Sequence, residues 1–280
     1  MASVPLTFEN LPNEILIHIL SPLSTVALVD LALVSRRFYD VIVRILHSRL
    51  IHAAALPEHE LILECYHPSA KISTPYLHCD PLGTTELAED EHARSLRALN
   101  SLYSRFRPVT QEENRRGRLR YPTAQSGGAS TGLAEEAVMQ DVNLDEGELF
   151  SQLCTVTNLV KVGPRRGLFL SHVNVSDGLI RVWRHWLAER TARGPESGEG
   201  EGESILWADT RKNVGLRFRV RENVDATRPV IVGSDEDVAV RYTLEYQELL
   251  VRTSQLLLMV EKSEAQEVTH SGKAIVIASV

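Results

Sequence analysis

The chain has 280 residues, 43% hydrophobic and 24% charged, the make-up of an ordinary soluble globular protein with enough length for one large domain or two modest ones. Its formal net charge of -7, from 37 acidic against 30 basic side chains, argues against a partner held by phosphate neutralisation, so no nucleic-acid role is expected. Three cysteines, Cys65, Cys79 and Cys154, are too few and too scattered for a disulfide framework, and no apolar run approaches the ~18 residues of a membrane span. With no basic leader between Met1 and Asn10, the expectation is a cytoplasmic or nuclear protein without a membrane attachment.

From Leu11 to about Leu50 the pattern is helical and dense. Pro12 stands where a first helical turn tolerates proline, Glu14 complements the positive end of the helix dipole, and Ile15, Leu16, Ile19 and Leu20 form one apolar side. Ser21-Pro22 ends that helix, Ser24 is a candidate N-cap, and Leu28, Leu31 and Val34 recur at three-residue spacing as a second stripe. Ser35 is the next cap candidate. A third helix follows with Phe38, Val41, Ile42, Ile45 and Leu46 on one face and Arg36, Arg37, Arg44 and Arg49 largely on the other. Three helices in so short a span bury little by themselves, and their aliphatic residues outnumber what such a core can hide.

After Leu56 the character turns to strand. Glu60 to Tyr66 predicts a strand, Pro68 to Ala70 a turn, and Lys71 to His78 a returning strand interrupted by Pro75 and therefore placed at an edge. About 107–143 reads as a disordered insertion, polar and glycine-rich, and 191–203 as a second, acidic one. Between and after them, Leu153 to Val162, Leu168 to Val175 and Leu179 to Leu187 are strand-like. Leu216-Arg217-Phe218-Arg219-Val220-Arg221 alternates most clearly, with three apolar side chains on one face and three arginines on the other. Val238 to Tyr246 keeps the same period, residues 249–263 lean to helix, and Ile275 to Ile277 closes the chain as a short strand.

The N-terminal segment resembles an F-box. The likeness is carried by Leu11-Pro12-Asn13-Glu14-Ile15-Leu16, then Ile19-Leu20, Leu23, Leu28, Leu31 and Val34-Ser35-Arg36-Arg37-Phe38, in order and at family spacing. The resemblance implies a three-helix module at residues 5–52 that docks on the Skp-type adaptor of a cullin ubiquitin ligase complex. Residues 56–280 would then select an unknown target protein, with ubiquitin transfer performed by other subunits and no cofactor. By the same likeness Leu11, Pro12, Ile15, Leu16, Leu20, Leu28, Leu31, Val34 and Phe38 face the adaptor or support the docking face. The turn from Val162 to Gly167, Val182 to Leu187 and the block Tyr242 to Thr253 further resemble fungal-type F-box proteins with a β-rich C-terminal region.

The fold class expected is thus α+β: a three-helix module followed by a β-rich, sandwich-like domain. Arg217, Arg219 and Arg221, with Trp183 and Trp186, are the candidate target-binding side chains, the arginines suited to an acidic or phosphorylated partner and the tryptophans to a ligand platform. The blander assignments are a solvated strand face and core. The alternative function is a stand-alone β-sandwich that binds a carbohydrate or small ligand, with the helices merely packed on it. Cys65, His67, His78 and Cys79 invite a zinc reading, but their spacing is unlike paired zinc ligands and no metal is expected. Cys154 with His172 or His185 would suit a thiol enzyme, though nothing local in the sequence activates the sulfur.

Overall fold

In the computed structural model the described residues are 8–72, 74–85, 95–110, 137–164, 168–193, 205–223, 239–269 and 275–276. Helices α1 (Asn13–Leu20), α2 (Thr25–Leu31) and α3 (Arg36–Ala54) come first. The caps fall where the serines predict: Ser24 Oγ accepts from the Ala27 N–H at 3.4 Å and Ser35 Oγ from the Phe38 N–H at 3.2 Å, each satisfying a donor that the first helical turn leaves open. Leu16 and Leu20 of α1, Leu28 of α2 and the Val41, Ile42, Ile45, Leu46 face of α3 are buried together.

The remainder is ten antiparallel strands in a single sheet: β1 (His59–Tyr66), β2 (Leu77–Thr84), β3 (Tyr103–Val109), β4 (Met139–Leu144), β5 (Phe150–Val162), β6 (Leu168–Trp183), β7 (Ile205–Trp207), β8 (Val214–Glu222), β9 (Val240–Arg252) and β10 (Ile275–Val276). Their order is β10-β6-β5-β1-β2-β3-β9-β8-β7, with β4 paired to the N-terminal half of β9. Helices α4 (Leu96–Asn100), α5 (Arg184–Arg193) and α6 (Thr253–Thr269) complete the fold. The α+β, β-rich class holds, but the expected sandwich is one curled sheet. Cys65 on β1 hydrogen-bonds with Tyr246 on β9, although β2 and β3 stand between those strands in the order, and β6 touches β7 from the far end. At that near-closure a Cβ on Gly178 would lie 2.4 Å from the Ala208 carbonyl oxygen, so only glycine permits the approach.

Several predicted elements shift. Lys71 to His78 is not an edge strand, because β2 begins at Leu77, beyond Pro75, and runs between β1 and β3 with a bulge at Pro81 and Gly83. The two strands predicted within 168–187 are one, β6, which ends at Trp183; Trp186 and Leu187 lie in α5. The insertion predicted at 107–143 has ordered ends, since β3 reaches Val109 and β4 starts at Met139, and residues 111–136 lie outside the described residues. Likewise α5 extends to Arg193, and 194–204 lie outside them. Residues 249–263 divide: the apolar run Leu249-Leu250-Val251 finishes β9, and helix starts at Thr253. Val238, Ile277 and Arg165 to Gly167 are also outside the described residues.

Helix α6 joins the two parts. Its Leu256, Leu257 and Val260 are buried in the cluster that holds both the α1–α3 core and the sheet interior, and it packs on α3, β5 and β6. Deeper in, His59 donates from Nδ1 to the Pro57 carbonyl at 2.7 Å, and in the neutral ring Nε2 accepts from Ser263 of α6 at 2.9 Å. Ser263 meets Ser171 of β6 in turn, so three buried polar side chains satisfy one another. On the opposite side, Glu261 accepts from the Thr25 backbone N–H at 3.2 Å and from Thr25 Oγ1 at 2.5 Å, capping the N-terminus of α2 with a carboxylate from 236 residues away. Arg49 of α3 completes the knot at 3.0 Å from Glu261 and donates to the Ser21 and Leu23 carbonyls of the α1–α2 turn.

Two outcomes follow from these contacts. Gly178→Val forces its side chain into backbone and is expected to lower unfolding free energy by about 1–3 kcal/mol in urea titration. Glu261→Ala removes a cap and strands Arg49, and the same titration should show a loss of about 1–2 kcal/mol.

Candidate docking site

The helical module separates its aliphatic side chains into two sets. Leu16, Leu20 and Leu28 are sealed in the core, so their part in any docking face is support; a direct contact by them would require the core to open. Leu11, Leu31 and Phe38 are half-buried, and Pro12 is exposed. Exposed aliphatic groups form one row on α1, Ile15 and Ile19 continuing to Leu23, and another on α2, Val26 and Val29 continuing to Leu33. The α2–α3 turn holds Leu33 89% and Val34 65% exposed. Eight of the fifteen exposed large hydrophobic side chains among the described residues lie between Phe8 and Val34, a concentration greater than scattered surface apolar residues give.

Arg37 fixes the start of that surface. Its guanidinium donates to Asn13 Oδ1 at 3.0 and 3.1 Å, to the Phe8 carbonyl at 3.2 Å and to the Leu11 carbonyl, while Phe8 sets its ring edge-on to Phe38 with centroids 6.5 Å apart. The Leu-Pro opening of α1 is thereby tied to the first turn of α3. Phe8, Ile19, Leu23, Val26, Val29 and Leu33 were not among the predicted docking residues. The signal for the α2 row is that Thr25 to Val34 is apolar around nearly the whole helix, more than one buried face requires.

A groove of about 530 Å³ opens beside α2. It is lined by Val26 and Val29 of α2, the buried Leu46 and Leu50 of α3, Leu96 of α4 and Leu258 of α6.

On the sheet, the candidate arginines do come together, but with partners. Glu248 of β9 meets both Arg105 of β3 at 2.7 Å and Arg217 at 3.2 Å, and Glu245 meets Arg221 at 2.8 Å and Arg219 at 3.9 Å. Two Arg–Glu–Arg clusters therefore cross the outer face of β3, β9 and β8, each with one positive charge in excess. Trp183 and Trp186 take no part in them. Trp183 lies against Phe150 at 4.9 Å between centroids and against His185 at 5.9 Å, while Trp186 is half-buried against the core with Arg190 over its ring.

The cysteine and histidine groups are dispersed. His67 bonds Ser69 at 2.7 Å, His78 meets Glu60 at 3.2 Å, Cys65 faces Tyr246 and Cys79 is buried beside Asp80; among the described residues no three metal-capable side chains converge. Cys154 stands in register with Tyr66 and Leu179, and the His185 ring belongs to the Trp183 contact. Among the described residues no helix is long and apolar enough to cross a membrane.

The structure thus shows a helical module with a surplus of exposed aliphatic side chains, carried on a nearly closed sheet. Residues 8–52 match the family model described as F-box-like, and the N-terminal part of this chain is an F-box-like domain. Domains of this kind bind Skp-type adaptors of cullin ligase complexes, which supports an adaptor-binding role for this one. No curated protein and no solved structure matches the chain.

Burial also sets the thiol chemistry. Loss of hydration pushes the Cys65 thiol up from its usual 9.0 to about 12, and the Cys79 thiol is raised for the same reason. A raised thiol pKa means that the folded state holds its proton to higher pH than the unfolded chain does, so the stability it contributes is present below pH 9 and declines as pH rises from 9 towards 12. Urea midpoints are expected to fall between pH 8 and pH 10.5, and Cys65→Val should reduce that fall. Iodoacetamide at pH 8 should label Cys65 only after unfolding.

Proposed function

We propose that this chain is a substrate-recognition subunit of a Skp–Cullin–F-box ubiquitin ligase, docking the adaptor through its F-box and selecting a target through the sheet domain. It performs no chemistry itself; ubiquitin transfer belongs to other subunits, as F-box proteins are typically non-catalytic receptors. The observation that carries the reading is the crowding of exposed aliphatic side chains on α1, α2 and the turn that follows, in the segment that matches the family. Pro12, Ile15, Ile19, Val26, Val29 and Val34 are the residues that meet the adaptor, with Leu11, Leu31 and Phe38 at the margin and Leu16, Leu20 and Leu28 beneath.

Burial of one aliphatic side chain contributes about 1.5–3 kcal/mol, while association costs about 4–15 kcal/mol, so the whole patch is required for stable docking. Targets are drawn to the face of β3, β9 and β8, where each glutamate is outnumbered by two arginines. The two excess charges suit an acidic segment, and the surrounding ion pairs hold the guanidinium groups in place.

Calorimetry of the full chain with a purified Skp-type adaptor tests the first half. Wild type should bind, and Ile19→Asp combined with Val34→Asp should weaken binding at least about 100-fold, given 1.4 kcal/mol per factor of ten. Because both side chains are exposed, the double variant should melt at the wild-type temperature. A folded wild type that fails to bind the adaptor would overturn the reading and leave a ligand-binding sheet protein in its place.

A further inference from the structure

We infer that the groove between the F-box and the helices α4 and α6 receives an amphipathic helix of the adaptor, so that the adaptor footprint runs beyond the family segment. This rests on the adaptor-docking reading above. The groove has a mixed origin. Val26 and Val29 belong to the exposed α2 row, whereas Leu96 and Leu258 lie 44 or more residues beyond the matched segment that ends at 52. A partner that covers the α2 row is therefore already at the lip of the groove.

The lining is apolar at its centre and charged at its rim. Asp30 and Arg97 both border the groove, both are exposed, and neither forms an ion pair or side-chain hydrogen bond among the described residues. A carboxylate and a guanidinium left unmatched beside an apolar trough complement a helix that presents an aliphatic stripe with one basic and one acidic flank. The groove, about 530 Å³, lies in the range of ~300–1,000 Å³ that concave binding sites occupy.

The groove is rigid enough to act as a template. Leu46 and Leu50 are core residues of α3, Leu257 of α6 is buried beside them, and the Arg49–Glu261–Thr25 knot fixes α2, α3 and α6 relative to one another. Asn100 and Ser254 also line the groove, with Ser254 Oγ donating to Asn100 Oδ1 at 2.7 Å. The helical partner is thus read by two parts of the chain at once, and only a correctly assembled C-terminal helix offers the complete site.

The test is calorimetry of full-length chain with a purified Skp-type adaptor, for wild type, Arg97→Glu, Leu258→Asp and Ile19→Asp, with thermal melts of each. Arg97→Glu should weaken binding roughly 3- to 10-fold and Leu258→Asp by 10-fold or more, the exposed Arg97 variant remaining fully folded. Amide hydrogen exchange at residues 96–100 and 254–258 should slow when the adaptor binds. If Ile19→Asp abolishes binding while Arg97→Glu and Leu258→Asp bind as wild type and exchange there is unchanged, the groove proposal is overturned and adaptor docking stands. If wild type does not bind, both fall. Should Leu258→Asp melt early, Arg97→Glu and the exchange measurement decide.

Discussion

The contact on which this molecule turns is a carboxylate at a helix end. Glu261, near the C-terminus, caps α2 through the Thr25 N–H and hydroxyl and holds Arg49, which in turn gathers the carbonyls of the α1–α2 turn. An N-terminal helix end carries unpaired N–H groups and partial positive charge, and a carboxylate answers both. Here that answer comes from the far end of the sequence. The F-box-like domain is therefore completed by the chain that follows it, and its docking surface is presented in one orientation relative to the sheet.

The same helix carries the second tie. Ser263, two residues further on, reaches the buried His59 and Ser171, so α6 is bound to the helices on one side and to β1 and β6 on the other. Between them, Leu56 and Glu58 adopt positive φ angles of 48° and 60°, uncommon for side-chain-bearing residues, in the short connection from α3 to β1. Such a connection is held by its surroundings, and the surroundings here are the two polar knots and a continuous hydrophobic core. Together they hold the F-box-like domain and the sheet as one body.

The two exposed features have opposite physical characters. Among the described residues the aliphatic rows on α1 and α2 remain in water, at a cost that burial against a partner would offset. The arginines of β8, by contrast, are partly neutralised by Glu245 and Glu248, which lowers their pull on a general anion and leaves one excess charge in each cluster.

Local chemistry was readable along the chain. The serine caps at 24 and 35, the three helices, the strand alternation at Leu216 to Arg221 and the F-box spacing depend on neighbours within a few residues, and each stands where the sequence puts it. What depended on distant residues was not readable. Period alone could not tell Leu16, Leu20 and Leu28, which face the core, from Ile15, Ile19 and Val26, which face water, because α1 and α2 are apolar on more than one side. It could not show that Pro75 precedes an internal strand, that β6 continues through Gly178 to meet Ala208, or that glutamates 24 to 143 residues away would pair with the arginines. Sequence by itself determined the helical docking module and a β-rich remainder, since hydrophobic period and caps act over a turn or a strand. Only the tertiary structure decided which aliphatic face stays open, how the sheet curls, and that Glu261 finishes the module, since burial and ion pairing are settled by residues that meet in space after long loops have closed.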